Sequence, residues 1–379
     1  MPYLSDERLR AMMPFFALHR SEPEVSVAAL LRRRMSELAA EVLLRRRIYL
    51  DTRYWVFLRD ALLGRPAEQS HRELLDVLTA GVEAGDLLCP LSESAYFELT
   101  RQRDPLLLLA SARLMDQLSH GVVIQHTIDR VRTEVRDFLF RTVVDGAVPP
   151  APIQHVWLKV GHVVGTPVIT ADGWEPEEQL VAQKAFLDVL WNVTLVEMLT
   201  DAQPPPDFRA REIRTARAMT RDSETHDVQL RSFKKLHSAE LGGFWDVHEA
   251  AIRDAWTTLF GSTFPEAPPP TDAQLAEQVP LWKNVLRNVI RLGKAGTSLP
   301  TAQVISGLHA TVRWNRNRGF KATDTYDFHH AAAALPYCDV FLTERFLCTV
   351  LERPPLAFAE LFGTTTIHRE REAVGFLKG

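Results

Sequence analysis

The 379-residue sequence has few cysteines and no long apolar run. Its three cysteines, Cys89, Cys338 and Cys348, form no Cys-x-x-Cys pair, which argues against a structural zinc site or a disulfide framework. No apolar run reaches the roughly 18 residues that a membrane helix needs. The segment up to Arg20 mixes charged with apolar residues, unlike a signal peptide. We therefore expect a cytoplasmic protein that does not cross a membrane.

The sequence also lacks a strong charge imbalance and a glycine-rich phosphate loop. Its net charge of −4 gives no overall attraction for nucleic acid, so any such surface must be local. The 18 glycines are scattered, and no nucleophile elbow is present. With 46% hydrophobic and 24% charged residues, the composition is that of a globular protein with ample material for a core.

The most informative stretch lies near the C-terminus. Asp324 is a suitable N-cap, and the alanine-rich segment after Phe328 predicts a helix. This helix should end near Leu335, because Pro336 disfavours helical geometry in the residue before it. The apolar run Val340–Thr343 is typical of a buried strand. The resulting helix–loop–strand unit carries acidic residues at the start of the helix and on both sides of the strand.

A similar arrangement occurs in the first hundred residues. Ile48–Leu50 predicts a buried strand that is followed by Asp51 and a helix. Open α/β sheets bind ligands at the carboxyl ends of their strands, so Asp51 is either a ligand-binding residue or only the cap of the next helix. Leu87–Leu91 predicts another strand, and the helix after it carries Glu93 and Glu98.

The middle of the chain has a different pattern, with long helical segments, proline-rich breaks and few strand signals (121–125 and 167–170). We therefore predict an α/β domain that is split by a mostly α-helical insertion. The predicted boundaries are an N-terminal helical arm over 1–46, the first half of the core over 47–104, the insertion over 105–300 and the second half of the core over 301–379.

The acidic residues beside the predicted strands form a candidate catalytic set: Asp51, Glu98, Asp327, Asp339 and Glu344. Oxygen-only ligands favour hard divalent cations such as Mg²⁺ or Mn²⁺, and a bound cation allows clustered carboxylates to stay ionised together. Such ions stabilise the attacking and leaving oxygens of a phosphodiester displacement, and even one lowers the pKa of a bound water. We expect these side chains to converge at one edge of the sheet.

These residues resemble the motifs of PIN-domain nucleases. The resemblance covers roughly 47–104 and 310–368 and rests on four segments: Ile48-Tyr49-Leu50-Asp51-Thr52, Glu98-Leu99, Asp324-x-x-Asp327-x-x-His330, and Leu335-Pro336-Tyr337-Cys338-Asp339-Val340-Phe341-Leu342-Thr343-Glu344. It implies a Rossmann-like central parallel sheet with a divalent-metal site at its carboxyl edge. The implied activity is metal-dependent cleavage of RNA, less often of DNA, in toxins, in defence or in RNA processing.

Transferred by position, the resemblance makes Asp51 the metal ligand after the first strand, Glu98 the helix-borne acid and Asp327 the third acid. The fourth ligand stays open. The family usually has Asp after the threonine of the last core strand, where this sequence has Glu344, and Asp339 is the substitute or an additional ligand. Glutamate is one methylene longer, so the metal geometry or the number of ions would differ from the family pattern.

Two basic segments are candidates for binding nucleic acid. The first combines cations with rings immediately before the acidic unit: Arg313, Trp314, Arg316, Arg318 and Lys321. Cations that meet phosphates and rings that stack on bases suit a single strand, whereas the alternative is an exposed, cation-rich helix end. The second is a set at helical spacing in the insertion, which is either a solvated face or part of a substrate path: Arg209, Arg211, Arg214, Arg217 and Arg221.

Histidine patterns offer weaker candidates. His329 and His330 could supply a metal ligand, although a structural role beside the alanine-rich helix suits them better. His226-Asp227 resembles the dipeptide of HD-type phosphohydrolases, but convincing partner histidines are missing from the sequence.

The sequence leads to two main hypotheses. In the first, the protein is an endoribonuclease that uses carboxylate-bound Mg²⁺ or Mn²⁺ to hydrolyse RNA or single-stranded DNA. In the second, it is a non-catalytic PIN-like module that binds protein or nucleic acid, and Glu344 in place of Asp favours this. In either case the helical insertion would shape substrate choice or bind a protein partner, including a second copy of the chain.

Overall fold

The computed structural model describes residues 6–144, 151–170, 173–201, 209–225, 232–315 and 317–379. In this part of the chain the fold is mostly helical and includes a small parallel sheet of four strands and a separate antiparallel pair. The dipeptide His226-Asp227 and Arg316 lie outside the described residues. None of the described helices has the length and apolar character needed to cross a membrane.

The strands and helices have the following bounds. The strands are β1 (Arg46–Leu50), β2 (Leu87–Leu88), β3 (Val122–Ile124), β4 (Trp157–Lys159), β5 (Val340–Leu342) and β6 (Thr365–Ile367). The helices are α1 (Asp6–Arg20), α2 (Val27–Val42), α3 (Thr52–Leu62), α4 (Gln69–Glu83), α5 (Glu93–Leu99), α6 (Pro105–Ser119), α7 (Thr127–Val143), α8 (Pro176–Asn192), α9 (Leu195–Asp201), α10 (Arg209–Thr225), α11 (Phe233–Val247), α12 (Glu249–Thr263), α13 (Asp272–Arg291), α14 (Pro300–Trp314), α15 (Asp324–Tyr337), α16 (Arg345–Glu352), α17 (Phe358–Phe362) and α18 (Glu370–Lys378).

The chain divides into two compact units, each assembled from three segments. Unit 1 contains the described residues of Met1–Arg47, Leu78–His126 and Ile153–Pro204. Unit 2 contains those of Ile48–Val77, Thr127–Pro152 and Pro205–Gly379. Both units therefore draw on the range 105–300, which the sequence analysis treated as one insertion.

The parallel sheet has the strand order β2-β1-β5-β6. In unit 1 the first two residues of β1 pair with β2. In unit 2 its last three residues, Ile48–Leu50, pair in parallel with β5, which in turn pairs with β6. Because β2 lies on one side of β1 and the later strands lie on the other, the order reverses between β1 and β5. Such a switch point is where open α/β sheets bind ligands, outside the carboxyl ends of the strands.

The centre of the sheet is fully buried in unit 2. All residues of β5 and the last three of β1 are 0% exposed, as expected of parallel strands covered on both faces. The consecutive alanines Ala331–Ala334 on α15 are also buried. Because these side chains are small, α15 can pack closely against neighbouring elements of unit 2, which holds the helix in place.

Helix α15 differs at both ends from the helix that the sequence predicts. It continues through Pro336 to Tyr337, because a proline in the last turn removes a single N–H and the turn is closed by the bond from Cys338 N to Ala334 O. At its start Thr323 holds the N-cap position, and Asp324 is the first helical residue. Residues 167–170 form no strand; β3 pairs instead with β4.

Candidate functional site at the carboxyl edge of the sheet

Asp51 lies at the carboxyl end of β1, next to β5. Its backbone N–H donates to the carbonyl of Leu342 (3.1 Å), which extends the pairing of the two strands by one residue. Its Oδ1 accepts the backbone N–H groups of Arg53 (3.1 Å) and Tyr54 (3.4 Å), so it is also the N-cap of α3. The two interpretations of Asp51 are therefore compatible, since the cap fixes the orientation of a carboxylate that is at the edge of the sheet.

The carboxyl end of β5 brings Glu344 to the same edge. Leu342 pairs with Leu50, and Thr343 continues along β6 by donating its N–H to the carbonyl of Ile367 (3.0 Å). Glu344 then holds the N-cap position of α16 without a side-chain capping bond and is partly exposed. Both strands at the switch point are thus followed by an acidic residue.

Asp327 lies on α15, one turn from a buried contact between this helix and β1. The hydroxyl of Tyr49 on β1 and Nδ1 of His330 on α15 are 2.7 Å apart, and both side chains are at most 1% exposed. The C-terminus of α15 leads into the start of β5, so the helix runs back toward the carboxyl edge. Asp327 lies three residues before His330, on the same helix face and one turn nearer that edge. It is partly exposed.

Asp339 lies at the opposite end of β5. Its carbonyl accepts the N–H of Thr365 (3.0 Å), where β5 and β6 begin. In register it is level with the residue before Ile48, four residues from Asp51, or about 13 Å along the strand direction. The structure therefore places Asp339 and Glu344 at different edges, and only Glu344 shares the edge with Asp51.

Glu98 belongs to unit 1, on the last turn of α5. Its proposed role as a ligand stays a prediction. In the same unit Glu93, at the start of α5, pairs through Oε2 with Nε2 of His126 (2.7 Å), the residue two beyond β3. Sequence reasoning missed this acid–base pair, because nothing in the sequence links the two residues.

Arg53 and Glu370 extend the edge in unit 2 and were also missed. Nη2 of Arg53 donates to Oε1 of Glu370 (2.8 Å), and the guanidinium lies 5.0 Å from the ring centre of Phe57. Glu370 begins α18, three residues after β6, so the strand-then-acid pattern recurs there and could have been noticed. Burial is the main cause that raises the pKa of Tyr54, and the negative charges of Glu370 and Asp51 raise it further. The two acids therefore act on the same small region of the edge.

A cysteine nucleophile is disfavoured at this edge. Burial is the main cause of a raised pKa of Cys348, which is about 12. A hydrogen bond with Thr366 lowers this pKa, and the negative charges of Glu352, Asp51 and Glu372 raise it. A thiol with such a pKa stays protonated near neutral pH and is unreactive.

The carboxylates at the edge are not assembled into a ready metal site. Within the described ranges, no group of three or more His, Cys, Asp or Glu side chains is placed to hold a metal ion. Asp51 and Glu344 follow neighbouring strands and Asp327 is in the first turn of α15, so the three come from different elements.

The basic segment before α15 is largely engaged within unit 2. Arg313 forms ion pairs with Glu240 and Asp222. Arg318 forms a two-pronged pair with Asp324 (2.6 and 3.0 Å), and its guanidinium lies 4.3 Å from the ring centre of Phe346. In the same segment Trp314 is 48% exposed and Lys321 is exposed. The two described arginines thus stabilise the fold, whereas Trp314 and Lys321 are exposed to solvent.

Comparisons of the chain with models of protein families, with curated proteins and with solved structures gave no match.

Proposed function

We propose that the carboxyl edge of β1 and β5 is the active site of a PIN-like, metal-dependent nuclease that hydrolyses phosphodiester bonds in RNA. The observation that carries the proposal is the position of Asp51 at the carboxyl end of β1, at the point where the strand order reverses. Glu344 follows the neighbouring strand, and Asp327 lies one turn beyond the contact between His330 and β1.

The donor chemistry suits Mg²⁺ or Mn²⁺, because carboxylate oxygens are the ligands that hard cations prefer. Asp51, Asp327 and Glu344 would hold the ion. A bound ion supplies positive charge at the reacting phosphate and a more acidic water. Since these donors are not grouped, Asp327 and Glu344 would have to turn toward the ion, which their partial exposure allows. Asp339 drops out of the proposed set because it is at the other end of the strand.

The other residues of the edge would position the substrate. The cap bonds hold Asp51 in one orientation, which reduces the reorganisation needed for binding. Arg53 is 44% exposed and anchored by Glu370, so its guanidinium is available to a phosphate of the substrate from a fixed place.

The second candidate is a non-catalytic PIN-like module that binds protein or nucleic acid. Two observations favour it: the described part of the chain has no preassembled metal group, and Arg313 and Arg318 are engaged in internal ion pairs. In that case the carboxylates at the edge would only cap helices.

Cleavage assays with three variants separate the two candidates. Labelled RNA and single-stranded DNA pools are incubated with purified protein in Mn²⁺, Mg²⁺ or chelator. We expect metal-dependent cleavage of RNA by the wild type and a loss of at least about 100-fold in both Asp51→Asn and Asp51→Ala. Asparagine is as good an N-cap as aspartate, so Asp51→Asn should unfold like the wild type, whereas Asp51→Ala should lose about 1 kcal/mol.

Asp339→Asn is the matched control, because it removes a carboxylate from the opposite end of β5. It should cleave like the wild type. A wild-type protein without cleavage in either metal favours the binding module, and full activity of Asp51→Asn contradicts the proposed site.

A further inference from the structure

The helix α10 has an exposed arginine face in unit 2. Arg211, Arg214 and Arg217 are all exposed and recur every three residues, so they lie along one side of the helix. Among the described residues, none of the three has an ion pair or a hydrogen bond to an acidic side chain. They span about 9 Å along the helix axis, at a rise of about 1.5 Å per residue.

Two acids of α10, Glu212 and Asp222, are engaged elsewhere. Glu212 accepts a hydrogen bond from the hydroxyl of Tyr326 (2.9 Å), and Asp222 pairs with Arg313 (2.8 Å). Ala216 is buried on the packed side of the helix. The arginine face is therefore a local cationic surface on a chain whose net charge is −4.

Helix α10 also forms hydrogen bonds with the segment that leads to the candidate site. Thr220 Oγ1 accepts the backbone N–H of Phe320 (2.9 Å), and Tyr326, the partner of Glu212, directly precedes Asp327. These contacts place α10 beside the start of α15. The cationic surface and the proposed catalytic carboxylate thus lie on neighbouring elements of one unit.

We infer that Arg211, Arg214 and Arg217 bind the backbone of single-stranded RNA as it approaches the carboxyl edge. Guanidinium groups bind phosphate through paired hydrogen bonds, and a row of them at regular spacing suits a repeating phosphate chain. These three arginines meet that need better than Arg313 and Arg318, which are held in ion pairs. The choice of RNA as the polyanion rests on the proposed nuclease function.

The test compares two triple variants with the same change in charge. One is Arg211→Gln, Arg214→Gln and Arg217→Gln; the control is Arg32→Gln, Arg33→Gln and Arg113→Gln, whose side chains are exposed in unit 1. Binding of a fluorescent uridine 20-mer is measured by anisotropy in chelator over a range of salt. We expect the α10 variant to bind at least about tenfold more weakly. The slope of log K against log salt should become shallower by about 2, since each lost phosphate contact removes about 0.7. The control should change by less than about threefold, with an unaltered slope.

The outcomes separate this inference from the nuclease proposal, because binding in chelator needs no catalysis. A selective loss of affinity in the α10 variant supports the RNA surface even when the wild type does not cleave. Equal affinities of the two variants, or an equal loss in both, overturn it. Displacement of the 20-mer by poly-glutamate as effectively as by unlabelled RNA also overturns it, since the surface would then recognise negative charge alone.

Discussion

Unit 2 contains two groups of acidic residues in opposite situations. Glu134 on α7 is fully buried and its hydrogen bonds are satisfied. Its Oε1 accepts from Thr301 Oγ1 (2.6 Å) and the hydroxyl of Tyr337 (2.7 Å), its Oε2 accepts from Thr301 N (3.0 Å), and Arg130 lies 4.0 Å away. At the sheet edge, by contrast, Asp327 and Glu344 are partly exposed and are not grouped into a cluster.

The difference shows what each group is suited to do. Burial raises the pKa of Glu134, and the charge of Arg130 and the hydrogen bonds from Thr301 and Tyr337 counteract only part of this rise, so neighbours within the fold offset part of the cost of the buried charge. No ligand can reach such a carboxylate without unfolding the region. At the edge, Asp51 is 8% exposed, whereas Asp327 and Glu344 are partly exposed and can be reached by an ion and a substrate.

Replacing Glu134 should produce the largest effect on stability. We expect Glu134→Ala to lower the free energy of unfolding by about 3–5 kcal/mol, because it removes the carboxylate that faces the buried Arg130 and accepts the hydrogen bonds of Thr301 and Tyr337. Urea denaturation followed by circular dichroism measures this. Glu344→Gln at the edge is the matched control and should change stability by less than about 0.5 kcal/mol. Equal destabilisation by both variants would break the comparison.

Acid should also destabilise unit 2 through the buried side chain of His309. Burial, and then the charge of His329, lower the pKa of His309 to about 4, although Asp324 opposes this. The unfolded chain takes up a proton near pH 6.5, whereas the folded state does so only near pH 4. The stability from neutral His309 is therefore complete above pH 6.5 and is lost as the pH falls to 4, on the order of 3 kcal/mol in total.

His309→Phe removes this titration while keeping a ring beside Phe320 and Phe328, which lie 5.6 and 5.0 Å away between ring centres. Urea denaturation at pH 7, 6, 5 and 4.5 should show a smaller decline for the variant than for the wild type. Some decline should remain, because burial lowers the pKa of His162 in unit 1 to about 4 as well. An unchanged decline would place the acid sensitivity elsewhere.

The sequence predicted β1, β2 and β5, because each is a short apolar run next to an acid or a turn. It predicted Asp51 and Glu344 at strand ends for the same reason. Asp339 shows where this reasoning stopped short. Both acids flank the same strand, but parallel pairing puts only the residue after the strand beside Asp51, so the direction of the strand distinguishes them.

Partners that are distant in the sequence could not be predicted. Tyr49 and His330 are 281 positions apart, and Arg53 and Glu370 are 317 apart. The burial of Glu134 could not be predicted either, because α14 and α15 cover this acid only in the folded chain. The sequence also did not predict the division into two units, because an amphipathic pattern does not specify which neighbour buries the apolar face of a helix.

Tyr49→Phe should have a smaller effect on stability than Glu134→Ala and a specific effect on the edge. The variant keeps the ring, which packs edge-to-face with Phe341 at 5.6 Å, and removes the hydroxyl bonded to His330. We expect a loss of about 1 kcal/mol in the free energy of unfolding. If the contact positions Asp327 relative to Asp51, the Mn²⁺ concentration for half-maximal cleavage should rise about tenfold, as for other residues that orient metal ligands.

Tyr54→Phe is the control for this effect, because its hydroxyl makes only a long bond of 3.5 Å to the carbonyl of Ile367. Its Mn²⁺ dependence should match that of the wild type. A structural role of Tyr49 alone would lower stability without altering the Mn²⁺ dependence. Such a result would separate the packing of α15 against β1 from the alignment of the carboxylates, and would leave Asp327 outside the proposed site.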